Sequence, residues 1–201
     1  MSLLSFQKTV DKDGQLMQAY AKGDSSAFEE LYRKHKDPLY RFFLRQCGNQ
    51  ALAEELYQEV WLRVIKAREN YELKAKFTTW LYRIAHNILV DHFRKPQTET
   101  DEETDAENIP DNAANDPEVI LSGQEKIECF RVQLRVQLKK LPKEQSEVFL
   151  LKEEAGLSLE EIALTVGESK ETVKSRLRYA VKKLRQSLRN ENTKENVMGD
   201  L

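Results

Sequence analysis

The chain has 201 residues carrying 32 basic and 34 acidic side chains, so a net charge of −2 conceals heavy charging. That length suits one ordinary domain or two small ones, and 40% apolar residues with a mean hydropathy of −0.67 supply helical cores but no span of ~20 apolar residues for a membrane. Seven glycines and five prolines are few for an all-β sandwich, and residues 1–8 run into charge without a signal-peptide core, so the expected location is cytoplasmic.

In chain order, residues 1–12 read as an N-terminal extension and residues 13–95 as a first helical domain. Asp13 to Lys22 predicts a short helix with Leu16, Met17 and Tyr20 on one side, closed by Gly23 and Asp24. Ser25 and Ser26 cap the next, where Phe28, Leu31 and Tyr32 recur at helical spacing. Pro38 is expected to interrupt it before Leu39, Phe42 and Phe43 resume the stripe towards Gly48. Ala51 to Arg68 is a third helix, with Leu52, Leu56, Val60 and Val64 in register. A polar loop, Glu69 to Lys76, precedes a fourth from Phe77 to Lys95, carrying Leu81, Ile84, Ala85, Ile88 and Leu89. Four amphipathic helices with short loops make a bundle.

Residues 96–120 differ in kind. Residues 96–125 carry 10 acids and no base, while the flanking blocks 1–95 and 126–189 carry net charges of +4 and +6. The strip holds Ile109 as its one large aliphatic residue before Val119, and Pro96, Pro110 and Pro117 break any helix through it. It cannot bury enough surface to offset the entropy of ordering, and reads as a flexible acidic tether. Two roles remain open for it: a soluble spacer, or an acidic strand lying in a basic channel of a partner.

Residues 121–189 form the second helical domain, followed by a tail over 190–201. Ile127, Phe130, Leu134 and Leu138 mark a helix ending at Leu141-Pro142, and Lys143 to Glu154 marks another, ending before Gly156. Ser158 with Glu161 is a capping box for a short helix with Ile162, Ala163 and Val166 inward. Ser169 caps a last helix to about Arg189, with Val173, Leu177, Val181, Leu184 and Leu188 as its buried stripe. Ala163, Gly167 and Val173 are the skeleton of a helix-turn-helix over about 158–189: a close crossing, a left-handed turn and an apolar anchor. Residues 169–189 hold eight bases against the single acid Glu171. A merely solvated helix mixes signs, because Glu–Lys pairs stabilise it, so this excess points to phosphate neutralisation. The N-terminal part of such a helix enters the major groove. That points to Lys170, Glu171, Lys174, Ser175, Arg178 and Tyr179 for the groove, with Thr172 and Arg176 in the same helix-turn-helix set and later bases such as Lys182 and Arg185 as backbone contacts or plain solubility.

The motifs together resemble a bacterial RNA polymerase sigma factor of the extracytoplasmic-function class, over about residues 13–190. Glu54 to Trp61 is similar to the acidic signature by which sigma domain 2 docks on the polymerase clamp helices. Phe77 to Asn87 matches the segment that opens the upstream half of the promoter bubble. Leu141-Pro142 and the helix-turn-helix resemble sigma domain 4. The resemblance implies an all-α, two-domain, non-enzymatic subunit. It implies docking by Glu54, Glu55, Gln58 and Glu59, with the flap of the large subunits as a further contact. It implies recognition of the −35 element by domain 4. Recognition and melting of the −10 element then fall to Asn70, Tyr71, Lys74, Lys76, Trp80, Arg83, Asn87 and Arg94. Aromatics mixed with cations suit single-stranded DNA, which stacks on flat faces, and a preformed pocket offsets the cost of flipping a base. Trp80 and Tyr82 can equally be core, and both readings stay open. Nothing like a regulatory domain precedes residue 13 or follows residue 190, so regulation is expected from an anti-sigma protein. No cofactor or metal is expected. Cys47 and Cys129 form no CxxC pair, His35, His86 and His92 complete no ligand set, and no Gly-rich phosphate loop occurs.

Overall fold

The computed structural model describes residues 11–94 and 121–198, with side chains over 11–94 and 130–189. The acidic strip therefore lies outside the described residues. Those residues form eight α-helices and one short 3-10 turn. The helices α1 (Lys12–Ala21), α2 (Ser25–Cys47), α3 (Gln50–Ala67) and α4 (Phe77–Arg94) make the first half. The helices α5 (Leu121–Lys139), α6 (Lys143–Glu153), α7 (Leu159–Val166) and α8 (Lys170–Met198) make the second.

Helix boundaries follow local chemistry. Asp24 caps α2 by accepting from the Ser26 and Ala27 amides, Asn49 caps α3 through the Leu52 amide at 2.9 Å, and Gly48 ends α2 in the left-handed conformation at φ 67°. A left-handed end favours glycine because it has no Cβ to clash.

The expected interruption at Pro38 does not occur: α2 runs unbroken from Ser25 to Cys47. An internal proline removes one backbone hydrogen bond and crowds the preceding turn, at about 3 kcal/mol. Here Leu31, His35, Leu39, Phe42 and Phe43 are buried on both sides of it, and that continuous apolar face holds the helix through the defect. A second difference is at the C-terminus, where α8 extends to Met198 instead of ending near Arg189. Its inward stripe is also shifted: Val173, Ala180 and Leu184 are buried, whereas Leu177, Val181 and Leu188 are half-buried. Ala180 replaces Val181 at the centre because a small residue there lets α8 approach its neighbours closely.

The first half packs around Met17, Leu31, Phe42, Phe43, Val60, Phe77 and Leu81, all fully buried. One polar cluster ties α1 to α2. Buried Asp13 accepts from Lys34 Nζ at 2.6 and 2.7 Å and lies 2.9 Å from His35 Nε2. The second half packs around Val148, Leu150, Leu151, Ile162 and Val173. The two cores are contiguous, with α7 lying against α4 and α6 against α2.

Candidate nucleic-acid and polymerase interfaces

In the second half, the helix-turn-helix is built from its own sequence signals. Ser158 accepts from the Glu161 amide at 3.2 Å while the Glu161 carboxylate accepts from the Ser158 amide at 2.8 Å, completing the capping box of α7. Gly167 turns the chain at φ 70°, and the Glu168 amide donates to the Ala163 carbonyl at 3.1 Å. Ser169 accepts from the Thr172 amide at 3.1 Å and so starts α8.

Among the groove candidates on α8, Lys170, Glu171, Lys174, Arg178 and Tyr179 are exposed, as are the backbone candidates Lys182 and Arg185. Thr172, Ser175 and Arg176 are half-buried. Two of the bases are already paired: Lys170 with Glu160, and Arg176 with Glu168 at 2.9 Å. The hydrogen bond between them raises the Lys170 pKa and lowers that of Glu160. Lys174, Arg178, Lys182 and Arg185 instead rim a groove whose floor includes Phe130 and Leu177.

On α3, Glu54, Glu55 and Gln58 are exposed and Glu59 is half-buried, held by Arg63 at 2.5 Å. Glu54 accepts from Gln50 at 3.0 Å, one turn earlier. Glu55 and Glu59 line a polar cleft between α3 and α4 together with Asp91 and Arg94. The same face continues through Leu62 and Ile65, which are 55% and 36% exposed. Sequence reasoning passed over these two. The available signal was their spacing: positions 55, 58, 62 and 65 recur every three or four residues, and a solvated face would be polar there.

Along α4, Arg83, Asn87 and Arg94 are exposed. Trp80 is half-buried, with its ring centroid 5.0 Å from Tyr71 and 5.8 Å from Phe77. Tyr82 is core: it is 1% exposed and packs edge-on to Phe42 at 5.4 Å, and burial raises its pKa. The loop before α4 is less uniformly polar than its composition. Asn70, Lys74 and Lys76 are exposed, but Tyr71 is buried, and its hydroxyl has no partner among the described residues. Lys74 pairs with Glu72, and Lys76 reaches Glu161 of α7 at 2.8 Å. The structure therefore gathers Tyr71 and Trp80 into one aromatic wall, leaves Arg83 and Asn87 in solvent, and places Tyr82 elsewhere.

No described helix is long and apolar enough to cross a membrane. Among the described residues no His, Cys, Asp and Glu cluster has metal-binding geometry. Cys47 is a free thiol whose pKa burial pushes up to about 12, against a smaller opposing pull from Lys143. The side chain of Cys129 is outside the described residues.

Comparison with known proteins supplies the family. A model of Sigma-70 region 2 matches residues 31–99, and a model of Sigma-70, region 4 matches residues 131–184. The chain is 35% identical over 173 residues to the ECF RNA polymerase sigma factor SigE of Mycolicibacterium smegmatis, covering 84% of this chain and 65% of that protein. It is 32% identical over 174 residues to the ECF RNA polymerase sigma factor SigW of Bacillus subtilis, covering 84% and 92%. In fold it is similar to CnrH, solved in complex with the cytosolic domain of CnrY, with a TM-score of 0.63 at 23% identity over 89% of this chain and 97% of that one. It is likewise similar to the sigma factor RpoE solved with the anti-sigma factor NepR from Bartonella quintana, at a TM-score of 0.62, 21% identity and coverage of 81% and 96%. The chain thus spans about two thirds of the SigE relative and nearly all of SigW. With both regions matched in order and a relative of its own length above 30% identity, the chain belongs to the extracytoplasmic-function sigma factors of the sigma-70 family.

Proposed function

We propose that the chain binds core RNA polymerase and directs it to promoters, reading the −35 element with α8 and reading and melting the −10 element with α4 and the loop before it. Sigma factors are non-catalytic subunits, so the work is selective binding. The observation that carries the reading is the pairing, in one chain, of an exposed basic recognition helix with an aromatic wall flanked by exposed Arg83 and Asn87.

Each surface has a physical task. The exposed acids of α3, with Leu62 and Ile65 beside them, suit a partner helix that offers Arg or Lys around an apolar strip. We assign that strip to the polymerase clamp. Exposed Lys174 and Arg178, the latter with its guanidinium 5.1 Å from the Tyr179 ring, suit base edges, while Lys182 and Arg185 neutralise phosphate. On α4, Arg83 and Asn87 track the separated strand while half-buried Trp80, backed by buried Tyr71, offers a stacking face. The similar sigma factor RpoE has been solved with the anti-sigma factor NepR. Control of this chain by such a protein, and action in the cytoplasm where polymerase works, belong to the same reading.

In vitro transcription with core polymerase over a promoter library tests it. The expected result is initiation at a restricted set of promoters only when the chain is added. Specific footprints by the chain alone, with no effect on polymerase, would make it a stand-alone regulator.

A further inference from the structure

Three contacts bind α1 and its N-cap residue Asp11 to the segment that runs from the 3-10 turn Arg68–Asn70 to the start of α4. At the beginning of that segment, the Arg68 guanidinium lies over the Tyr20 ring, 5.5 Å from its centroid. In the middle, the Leu73 side chain occupies the space that a Cβ on Gly14 would need. At the end, Asp11 Oδ2 accepts from the Phe77 amide at 2.6 Å, a helix cap delivered from 66 residues away. Phe77 opens α4, and the residue before it, Lys76, has no side-chain acceptor to offer the free amides of the first turn. Asp11 does what a local Asp or Ser would do there, and its charge suits the positive end of the helix. Asp13 adds a lateral support through His35, whose ring packs against Phe77 at 5.3 Å.

Asp11, Gly14 and Tyr20 are not among the candidate DNA contacts, but what they hold is. The clamped segment carries Asn70, Tyr71, Lys74 and Lys76, and α4 carries Trp80, Arg83 and Asn87. A loop left free would pay its ordering entropy when it captures a strand, whereas a fixed one meets the unstacked base already shaped. We infer that Asp11 and Gly14 are positioning residues for promoter opening: α1 fixes the loop before α4, and the first turn of α4, in their strand-capturing form. The opening step rests on the sigma reading; the fixing rests on the contacts alone.

Gly14→Ala separates positioning from stability. Alanine is the better helix former inside α1, but its Cβ would stand 2.3 Å from Leu73 Cδ2 and 2.6 Å from Asp11 Oδ2. Both are ends of flexible side chains, so the helix persists and the two clamping groups move. With core polymerase and a promoter that the wild type opens, this variant should keep its helical circular dichroism, melting temperature and core affinity. Permanganate reactivity of its bubble thymines should fall by about fivefold, the equivalent of one lost helix cap. Initiation on a pre-melted bubble template should return to the wild-type level. Asp11→Ala should show the same opening defect, and Asp11→Asn, which keeps an acceptor oxygen, should recover most of it. In the free chain, the Phe77 amide should exchange its hydrogen about fivefold faster in Asp11→Ala. If Asp11→Ala loses α1 altogether, Gly14→Ala decides together with Leu73→Ala, which removes the same contact from the exposed loop side. Wild-type opening by Gly14→Ala would overturn the inference. So would a defect that the pre-melted template leaves in place, or unchanged exchange at Phe77. The exchange measurement needs neither polymerase nor DNA, so it stands or falls apart from the sigma reading.

Discussion

Asp13 shows how much a single buried carboxylate organises. Hydrogen bonding from His35, and to a smaller extent from Lys34, outweighs the opposing effect of burial and lowers its pKa. A carboxyl whose folded pKa lies below its unfolded value contributes stability that is complete above the unfolded pKa, near 3.8. That contribution is lost as pH falls through the folded value. Asp13→Asn should therefore destabilise the first half by about 2 kcal/mol at neutral pH, the scale of hydrogen bonds to a charged group. The loss should shrink below pH 4 in urea titrations, because the wild type is then losing the same charge. At the same scale, Arg83→Ala and Asn87→Ala should leave helical circular dichroism unchanged and form closed promoter complexes that fail to open. Permanganate reactivity of bubble thymines at the wild-type level would count against both. Trp80→Ala carries a stability cost as well, since its ring packs on Tyr71 and Phe77. Its opening defect should be read against its melting curve.

Elements were legible in proportion to how local their determinants are. The capping box at Ser158, the left-handed turn at Gly167 and the stripe of α3 are written in neighbouring residues, and the helix-turn-helix followed from them. Pro38 misled because its cost is local and its compensation is not: the buried residues on either side of it come from tertiary packing. The Ala180 register and the fate of Tyr82 were hidden for the same reason, since periodicity names a face but not the neighbour that covers it. Tyr71 looked polar by company and is buried by position. Leu62 and Ile65 were visible as letters yet unremarkable, because an exposed aliphatic residue becomes informative only when the structure leaves it uncovered. For α3 the expectation is that Gln58→Ala with Glu59→Lys lowers affinity for core polymerase in a fluorescence titration while helicity persists. Leu62→Ser should lower it too, without changing its salt dependence. For α8, Lys182→Ala and Arg185→Ala should each weaken binding across all sequences and flatten the salt slope by about one. Lys174→Ala and Arg178→Ala should instead relax preference at particular base pairs, by about 1–3 kcal/mol each.

At the scale of the whole molecule, the two-domain plan could be read from sorted charge, but the packing of one half on the other could not. Arg41 and Glu154 lie 113 residues apart, and no periodicity connects them. Under the proposed function, once one half is held on polymerase the length of residues 96–120 sets the effective concentration of the other. Scrambling residues 96–120 at constant length and charge should leave promoter binding nearly intact. Neutralising its acids should reduce initiation only if the strip occupies a basic channel. Equal behaviour of the two variants in abortive-initiation assays would make it a spacer. Burial of the Cys47 thiol carries a kinetic consequence. A thiol with its pKa pushed up to about 12 has almost no thiolate at neutral pH, and Lys143, from the opposite half, is the charged group that acts on it. Alkylation needs the thiolate, so burial slows any such reagent while the nearby Lys143 charge works the other way. In a Cys129→Ser background, the labelling rate of Cys47 at neutral pH should fall well below that of an exposed thiol and approach it in denaturant. A stopwatch on one sulfur atom would then measure how firmly its surroundings are held.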